Sequence, residues 1–218
     1  QTFPGYLLLV LPLIWQSGED KEQIPWESLV QEPRFSVILL AIISGIAIFL
    51  AVANGITATS LSREGKQFYI SKYIPLAYKR QIQAKLLSGL IFSLIGVLLI
   101  LLAVGILFKL SPVFVWVILA VTLAAVLPVL EAGLLIDIYR PKLDWDNEQK
   151  AVKQNLNSVI AILIAVLFGG SIIFLGIKYF DSLAAAGLFM LIAYGLPAVV
   201  LYLVLMTKGV AQYRKLEG

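Results

Sequence analysis

Apolar residues along this chain fall into long runs separated by polar segments of unequal length and charge. A helix rising 1.5 Å per residue needs roughly 20 residues to cross about 30 Å of hydrocarbon. Five runs meet that length, at about 35–57, 86–108, 113–136, 159–177 and 184–206. A further run at residues 3–15, FPGYLLLVLPLIW, is shorter and carries Pro4 and Pro12. It reads as the outer end of a partial helix, with a re-entrant piece as the competing view. The pattern predicts an all-α, polytopic helical membrane protein, a single transmembrane domain over residues 1–218. It has five full transmembrane helices, a partial N-terminal one, and amphipathic helices on the cytoplasmic side.

The polar segments differ in character. Residues 16–34 are acidic, with Pro25-Trp26 and Pro33 marking an irregular extracytoplasmic loop. Residues 58–85 are basic. There Tyr69, Ile70, Tyr73 and Ile74 recur at helical spacing, and Pro75 predicts a break. Tyr78 and Ile82 share a face of the piece that follows. The expectation is two short amphipathic helices in the headgroup region, aromatics inward and lysines outward. Such a surface anchors to lipid or docks a cytosolic subunit. The turn at Lys109–Pro112 is short enough to make the spans on either side antiparallel neighbours. The third polar segment, 137–158, is the longest interruption of the C-terminal half, and 207–218 is a short basic tail.

Charge placement gives an orientation. Residues 58–85 carry six Lys/Arg, 137–154 carry four (Arg140, Lys142, Lys150, Lys153), and the tail carries three (Lys208, Arg214, Lys215). The opposite side has only Lys21, Arg34, Lys109 and Lys178. The positive-inside rule therefore puts 58–85, 137–158 and the C-terminus in the cytoplasm. It also explains the net charge of +4 without nucleic acid as a partner. Membrane lipids are the surroundings.

Composition narrows the chemistry. The chain is 60% hydrophobic and 14% charged, far from the balance of a water-soluble domain. It has no cysteine and no histidine, which removes thiol catalysis, His-ligated metals and the HExxH protease motif. No metal cluster, catalytic set or cofactor of its own is expected. The one acid inside a span is Glu131, three residues after Pro128. A charge at the bilayer centre costs at least about 2.5–3.5 kcal/mol on insertion scales, so such groups face protein or a cavity. Glu131 lies only about 8 Å from the predicted cytoplasmic end. It is either bonded within the bundle or on a substrate or proton path. Gly89 and Ser93, like Ala41 and Gly45 or Ala47 and Ala51, have the spacing that lets helices approach closely. Pro128 and Pro197 are expected kinks.

The hinge DIYRPKLDWDNEQKAVKQNLN at 137–157 is the most distinctive stretch. Asp144 or Asp146 can cap a helix, Gln149 completes a capping-box-like arrangement after Asp146, and Asp146–Lys150 is an i,i+4 ion pair. A helix unbroken from Asn147 to Ile177 would be about 46 Å long and stand out of the membrane as a lever.

This hinge resembles that of permease subunits of bacterial ATP-binding cassette exporters, and SREGKQFYISKYIPLAYKRQIQAK at 62–85 is similar to the segment before the next span in the same permeases. The two cover about 45 residues, and the order of spans fits the C-terminal half of such a permease. The resemblance implies an all-helical translocation domain, a second permease copy or half, and a separate cytosolic ATP-binding cassette ATPase that binds the ATP. This chain has no GxxxxGK[ST] phosphate loop. The resemblance points to Arg63, Glu64, Lys66 and the patch Trp145, Asp146, Asn147, Glu148 as contacts that couple ATP hydrolysis to transport; helix capping and headgroup binding are the plainer roles for the same residues. The competing function is a non-transporting membrane anchor or assembly subunit. An intramembrane enzyme is disfavoured, since Glu131 stands without a second in-span acid.

Overall fold

The computed structural model describes residues 32–144 and 155–216. Within them the secondary structure is helical, as the hydrophobic pattern predicts. The elements are α1 (Pro33–Ala53), a 3₁₀ turn (Ser62–Gln67), α2 (Phe68–Tyr73), α3 (Tyr78–Phe108), α4 (Pro112–Tyr139), α5 (Leu156–Tyr179) and α6 (Leu183–Val204). A π-helical turn (Leu205–Gly209) leads from α6 into α7 (Val210–Lys215). Among the described residues five helices are long and apolar enough to cross a membrane: α1, α3, α4, α5 and the continuous helix Leu183–Lys215. The expected partial helix at 3–15 and most of the acidic loop lie outside the described residues.

Helix α4 is the centre, packed by α1, α3, α5 and α6. Ile118, Val121, Ala125, Val126, Leu130, Leu134 and Ile138 are fully buried, a spread that surrounds the helix with protein from Val121 on, while Val113, Trp116 and Ala120 are exposed at its start. By contrast α3, α5 and α6 each expose apolar side chains, such as Leu102, Leu167 and Leu196, as lipid-facing helices do. Close approach rests on small residues. A Cβ on Gly89 would stand 2.5 Å from Thr57 Cγ2, and one on Gly169 would stand 2.8 Å from Ile48 Cδ1. The turn between α3 and α4 has Lys109 in the left-handed region (φ 46), and Ser111 caps α4 by accepting from Phe114 N. Both Pro128 and Pro197 sit inside helices that continue through them.

Three expectations change. First, α1 ends at Ala53, short of Thr57. The Asn54 side chain accepts from Ile56 N at 2.8 Å and Gly55 takes φ 62, which turns the chain back. Residues expected to begin a solvated segment then run into the bundle: Thr57, Ala58, Thr59, Leu61 and Ser62 are all buried. Irregular backbone at this depth needs protein around it, and α3 and α4 supply that at Gly89 and Gly133.

Second, the break at Pro75 holds, with Ile74 extended (φ −65, ψ 125), but α2 faces the other way. Phe68 and Lys72 point inward, while Tyr69, Ile70, Tyr73 and Ile74 are exposed. The reason is the C-terminal helix: α7 returns against this segment and offers Tyr213 to Phe68 and Lys72.

Third, the helix from Asn147 to Ile177 is not unbroken. Asn155 is extended (φ −93, ψ 115) and its side chain accepts from Asn157 N at 3.0 Å, so α5 starts at Leu156. The capping arrangement at Asp146 and the Asp146–Lys150 pair lie outside the described residues.

Candidate functional site

The basic end of the bundle gathers the 3₁₀ turn, α2, the ends of α4 and α7, and the starts of α3 and α5. Two joints hold it together.

The first is built on Asp137, in the last turns of α4 and fully buried. One carboxylate oxygen accepts from the backbone N–H of Leu61 (2.6 Å) and of Ser62 (3.1 Å). The other accepts from the Ser62 hydroxyl and from the Asn157 amide (3.0 Å). Asn157 also donates to the Arg140 carbonyl (2.8 Å), and Lys142 N donates to Ser62 Oγ (3.0 Å). A buried carboxylate is tolerable only when its lone pairs are met in this way. The joint ties the segment after α1 to α4 and α5.

The second joint is a cage of rings. The Lys72 ammonium lies 5.2, 4.8 and 4.6 Å from the ring centroids of Phe68, Tyr78 and Tyr213. It also donates to the Tyr213 carbonyl. Burial pushes the Lys72 ammonium below the usual lysine range; the electron-rich ring faces and the carbonyl act against that by favouring the charged form. Tyr213 is fully buried, meets Phe68 and Tyr78 edge-on with centroids 5.6 Å apart in each case, and donates to Gln81 Oε1 (2.9 Å). This joint ties α2 and the start of α3 to the helix that continues α6.

Outside both joints is an apolar surface: Tyr69, Ile70, Tyr73, Ile74 and Leu76, with Tyr73 82% exposed. Its depth follows from α3. Lys79, Arg80 and Ala84 are exposed, and exposed apolar side chains begin at Leu87, so the hydrocarbon boundary lies near Leu86. Tyr78 stands eight residues, about 12 Å, beyond it. The headgroup zone is only about 5–7 Å thick on each side. The rings packed on Tyr78 therefore lie on the polar side of that boundary, and α2 is tied to the same side through Glu64, which meets both Ser71 and Lys85.

The residues singled out from sequence sit as follows. Arg63 is exposed and donates back to the Ile56 carbonyl (2.9 Å), with Asp137 and Glu64 both acting on it electrostatically. Glu64 pairs with Lys85 and accepts from Ser71 Oγ (2.8 Å), bracing the 3₁₀ turn against α2 and α3. Lys66 lies 3.9 Å from Asp144, both side chains largely in solvent, a contact worth little by itself. Trp145, Asp146, Asn147 and Glu148 lie outside the described residues; the hinge approaches the Arg63 segment at its base, through Lys142 and Asp144. Glu131 faces the protein interior at 3% exposure, and its Oε2 has no hydrogen-bond partner among the described residues.

From sequence, Asp137, Asn157 and Ser62 are only letters of motifs, Lys72 is one of the lysines expected to face outward, and Tyr213 has no role. For Asp137 a signal was present: an acid between Ile136 and Ile138, next to a span, has to find donors. For the Lys72 cage there was none, because its rings come from three separate segments. No protein-family model matches this chain, and neither a curated protein nor a solved structure is significantly similar to it.

Proposed function

We propose that this chain is a transmembrane permease subunit of an ATP-binding cassette transporter, an exporter of the bacterial plasma membrane, with its basic end and C-terminus in the cytoplasm. A cytosolic ATP-binding cassette ATPase binds and hydrolyses the ATP, and a second permease copy or half completes the pathway. The observation that carries this reading is the apolar patch of Tyr69, Ile70, Tyr73, Ile74 and Leu76. An exposed cluster of aromatic and aliphatic side chains on the polar side of the span boundary is the kind of surface that docks a protein partner. It is rooted, through Asp137 and through Lys72, in α4, α5 and the α6–α7 helix. A push on the patch is thereby passed to three helices together, which is the mechanical requirement for shifting a bundle between two arrangements. Arg63 and Glu64 act in this scheme as braces of the element, while Lys66 and the hinge around Trp145–Glu148 flank the docking face.

The test is affinity purification of the full-length protein in mild detergent. An ATP-binding cassette ATPase is expected to come with it, and to be lost on Tyr73→Ser with Ile70→Ser. Recovery of partners without ATPase activity would favour the anchor or assembly subunit instead.

A further inference from the structure

We propose that Lys72 is a positioning residue: its ammonium, held among the rings of Phe68, Tyr78 and Tyr213, latches α7 to the docking element, so that α6 moves with that element. The coupling clause rests on the function proposed above; the latch itself does not.

Two independent features of the cage support it. The first is the ring geometry. Three aromatic rings surround one ammonium at centroid distances of 4.6–5.2 Å, within the range where the ring quadrupole attracts a cation. The second is the end of the helix. Tyr213 lies in the last turn of α7, which ends at Lys215, so its carbonyl is one of the acceptors a helix leaves without an intrahelical donor. Lys72 donates to that carbonyl. It thus caps the negative pole of the continuous helix Leu183–Lys215 from another segment, the place where a cation is most favourable.

Other charges nearby do not replace it. Arg214 and Lys215 are exposed on α7 itself, and Lys85 is engaged with Glu64. Nor does apolar packing alone account for the arrangement. Phe68 and Tyr213 are buried against each other, yet the group at the centre of the three rings is a charged nitrogen rather than a methyl. The Asp137 joint reaches α4 and α5 but makes no bond to α6 or α7. Gln81 and Gln83 on α3 also bond Tyr213 (2.9 Å) and Tyr202 (2.8 Å), and α6 packs on α4, so what Lys72 adds is the charged tie from α2 itself to the end of α7.

The experiment is hydrogen–deuterium exchange on the full chain in lipid nanodiscs, comparing wild type, Lys72→Met and Lys72→Arg. Met fills the same space without charge. Exchange at residues 210–215 is expected to speed up about tenfold in Lys72→Met, and to be largely restored in Lys72→Arg. Progressive fluorination of the Phe68 ring should speed it stepwise, since fluorine drains the ring face without changing its size much. Wild-type exchange in Lys72→Met, or no response to fluorination, would overturn the latch in favour of plain packing. The coupling clause is read in the purified complex with its ATPase. Lys72→Met is expected to keep ATPase binding and hydrolysis but lose most transport; unimpaired transport would overturn the positioning role. Failure of wild type to bring an ATPase at all would defeat the proposed function and leave the exchange result standing.

Discussion

The Asp137 carboxylate and the Asn157 amide, twenty positions apart in sequence, meet at 3.0 Å with neither residue more than 3% exposed. They sit at the two ends of the polar hinge between α4 and α5, so the loop they bracket leaves and re-enters the bundle at one point. The Leu61–Ser62 backbone completes the joint from the segment after α1. Three parts of the chain are fixed by a single side chain.

Substitutions at Asp137 should therefore rank by how many donors they strand. Asp137→Ala leaves two backbone N–H groups, a hydroxyl and an amide without their acceptor, and should cost about 3–5 kcal/mol. Asp137→Asn keeps the shape but turns an NH₂ toward groups that are themselves donors, for about 2–3 kcal/mol. Ser62→Ala removes one donor, and one acceptor for Lys142 N, for about 1–2 kcal/mol. Thermal unfolding in one detergent should give that order. An Asp137→Asn variant as stable as wild type would mean that the carboxylate is not the organising group.

Close packing gives a second prediction. Gly89→Ala places a Cβ 2.5 Å from Thr57 Cγ2, and Gly176→Ala places one 2.4 Å from Met190 Cε. The distances are alike but the neighbours are not. Both are buried, but Met190 has three side-chain torsions with which to move its terminal methyl, whereas Thr57 is branched at Cβ and held in a turn. Gly89→Ala should destabilise by about 1–3 kcal/mol, and Gly176→Ala by less. Thr57→Ser removes the offending methyl, so the double variant Gly89→Ala with Thr57→Ser should recover much of the loss. Equal melting temperatures for the single and double variants would place the strain elsewhere.

These two regions also mark where sequence reasoning succeeds and where it stops. Span lengths are legible because hydrocarbon thickness sets them: 113–136 is realised as Pro112–Tyr139, and 159–177 as Leu156–Tyr179. Pro75 ends a helix whatever surrounds it. The direction in which α2 faces is another matter. Its two stripes, Phe68 with Lys72 and Tyr69 with Tyr73, are both plausible inner faces by periodicity. The choice falls to Tyr213, 140 positions after Tyr73, whose ring and carbonyl select the stripe carrying the lysine. Likewise, Ala58–Ser62 reads as the start of a polar segment until α3 and α4 close over it. Long-range partners decide both cases.

The outward stripe should be separable from stability. Tyr73 is 82% exposed and Ile70 48%, so Tyr73→Ser and Ile70→Ser should each change the unfolding free energy by less than about 0.5 kcal/mol. Partner binding should fall sharply in the same variants, since an exposed aromatic–aliphatic cluster is the usual anchor of a protein interface. Alanine substitution across Trp145–Glu148 should also impair partner-stimulated transport if the hinge flanks the docking face. Intact transport in that variant would remove the hinge from the coupling surface.

Glu131 offers the sharpest separation of structure from the proposed transport. It is 3% exposed, its Oε2 has no hydrogen-bond partner among the described residues, and it lies six residues, about 9 Å, before Asp137 on the central helix. A buried polar group without a partner is a cost to the fold, and an apolar side chain of similar size removes that cost. Glu131→Leu should thus raise the melting temperature, by the equivalent of about 1–3 kcal/mol. If the chain is the permease subunit proposed above and Glu131 lies on its transport path, the same variant should lose transport while still binding the ATPase. A more stable Glu131→Leu protein with full transport would make Glu131 a tolerated defect of the bundle, and a less stable one would mean that its carboxyl is satisfied by bound water in the membrane.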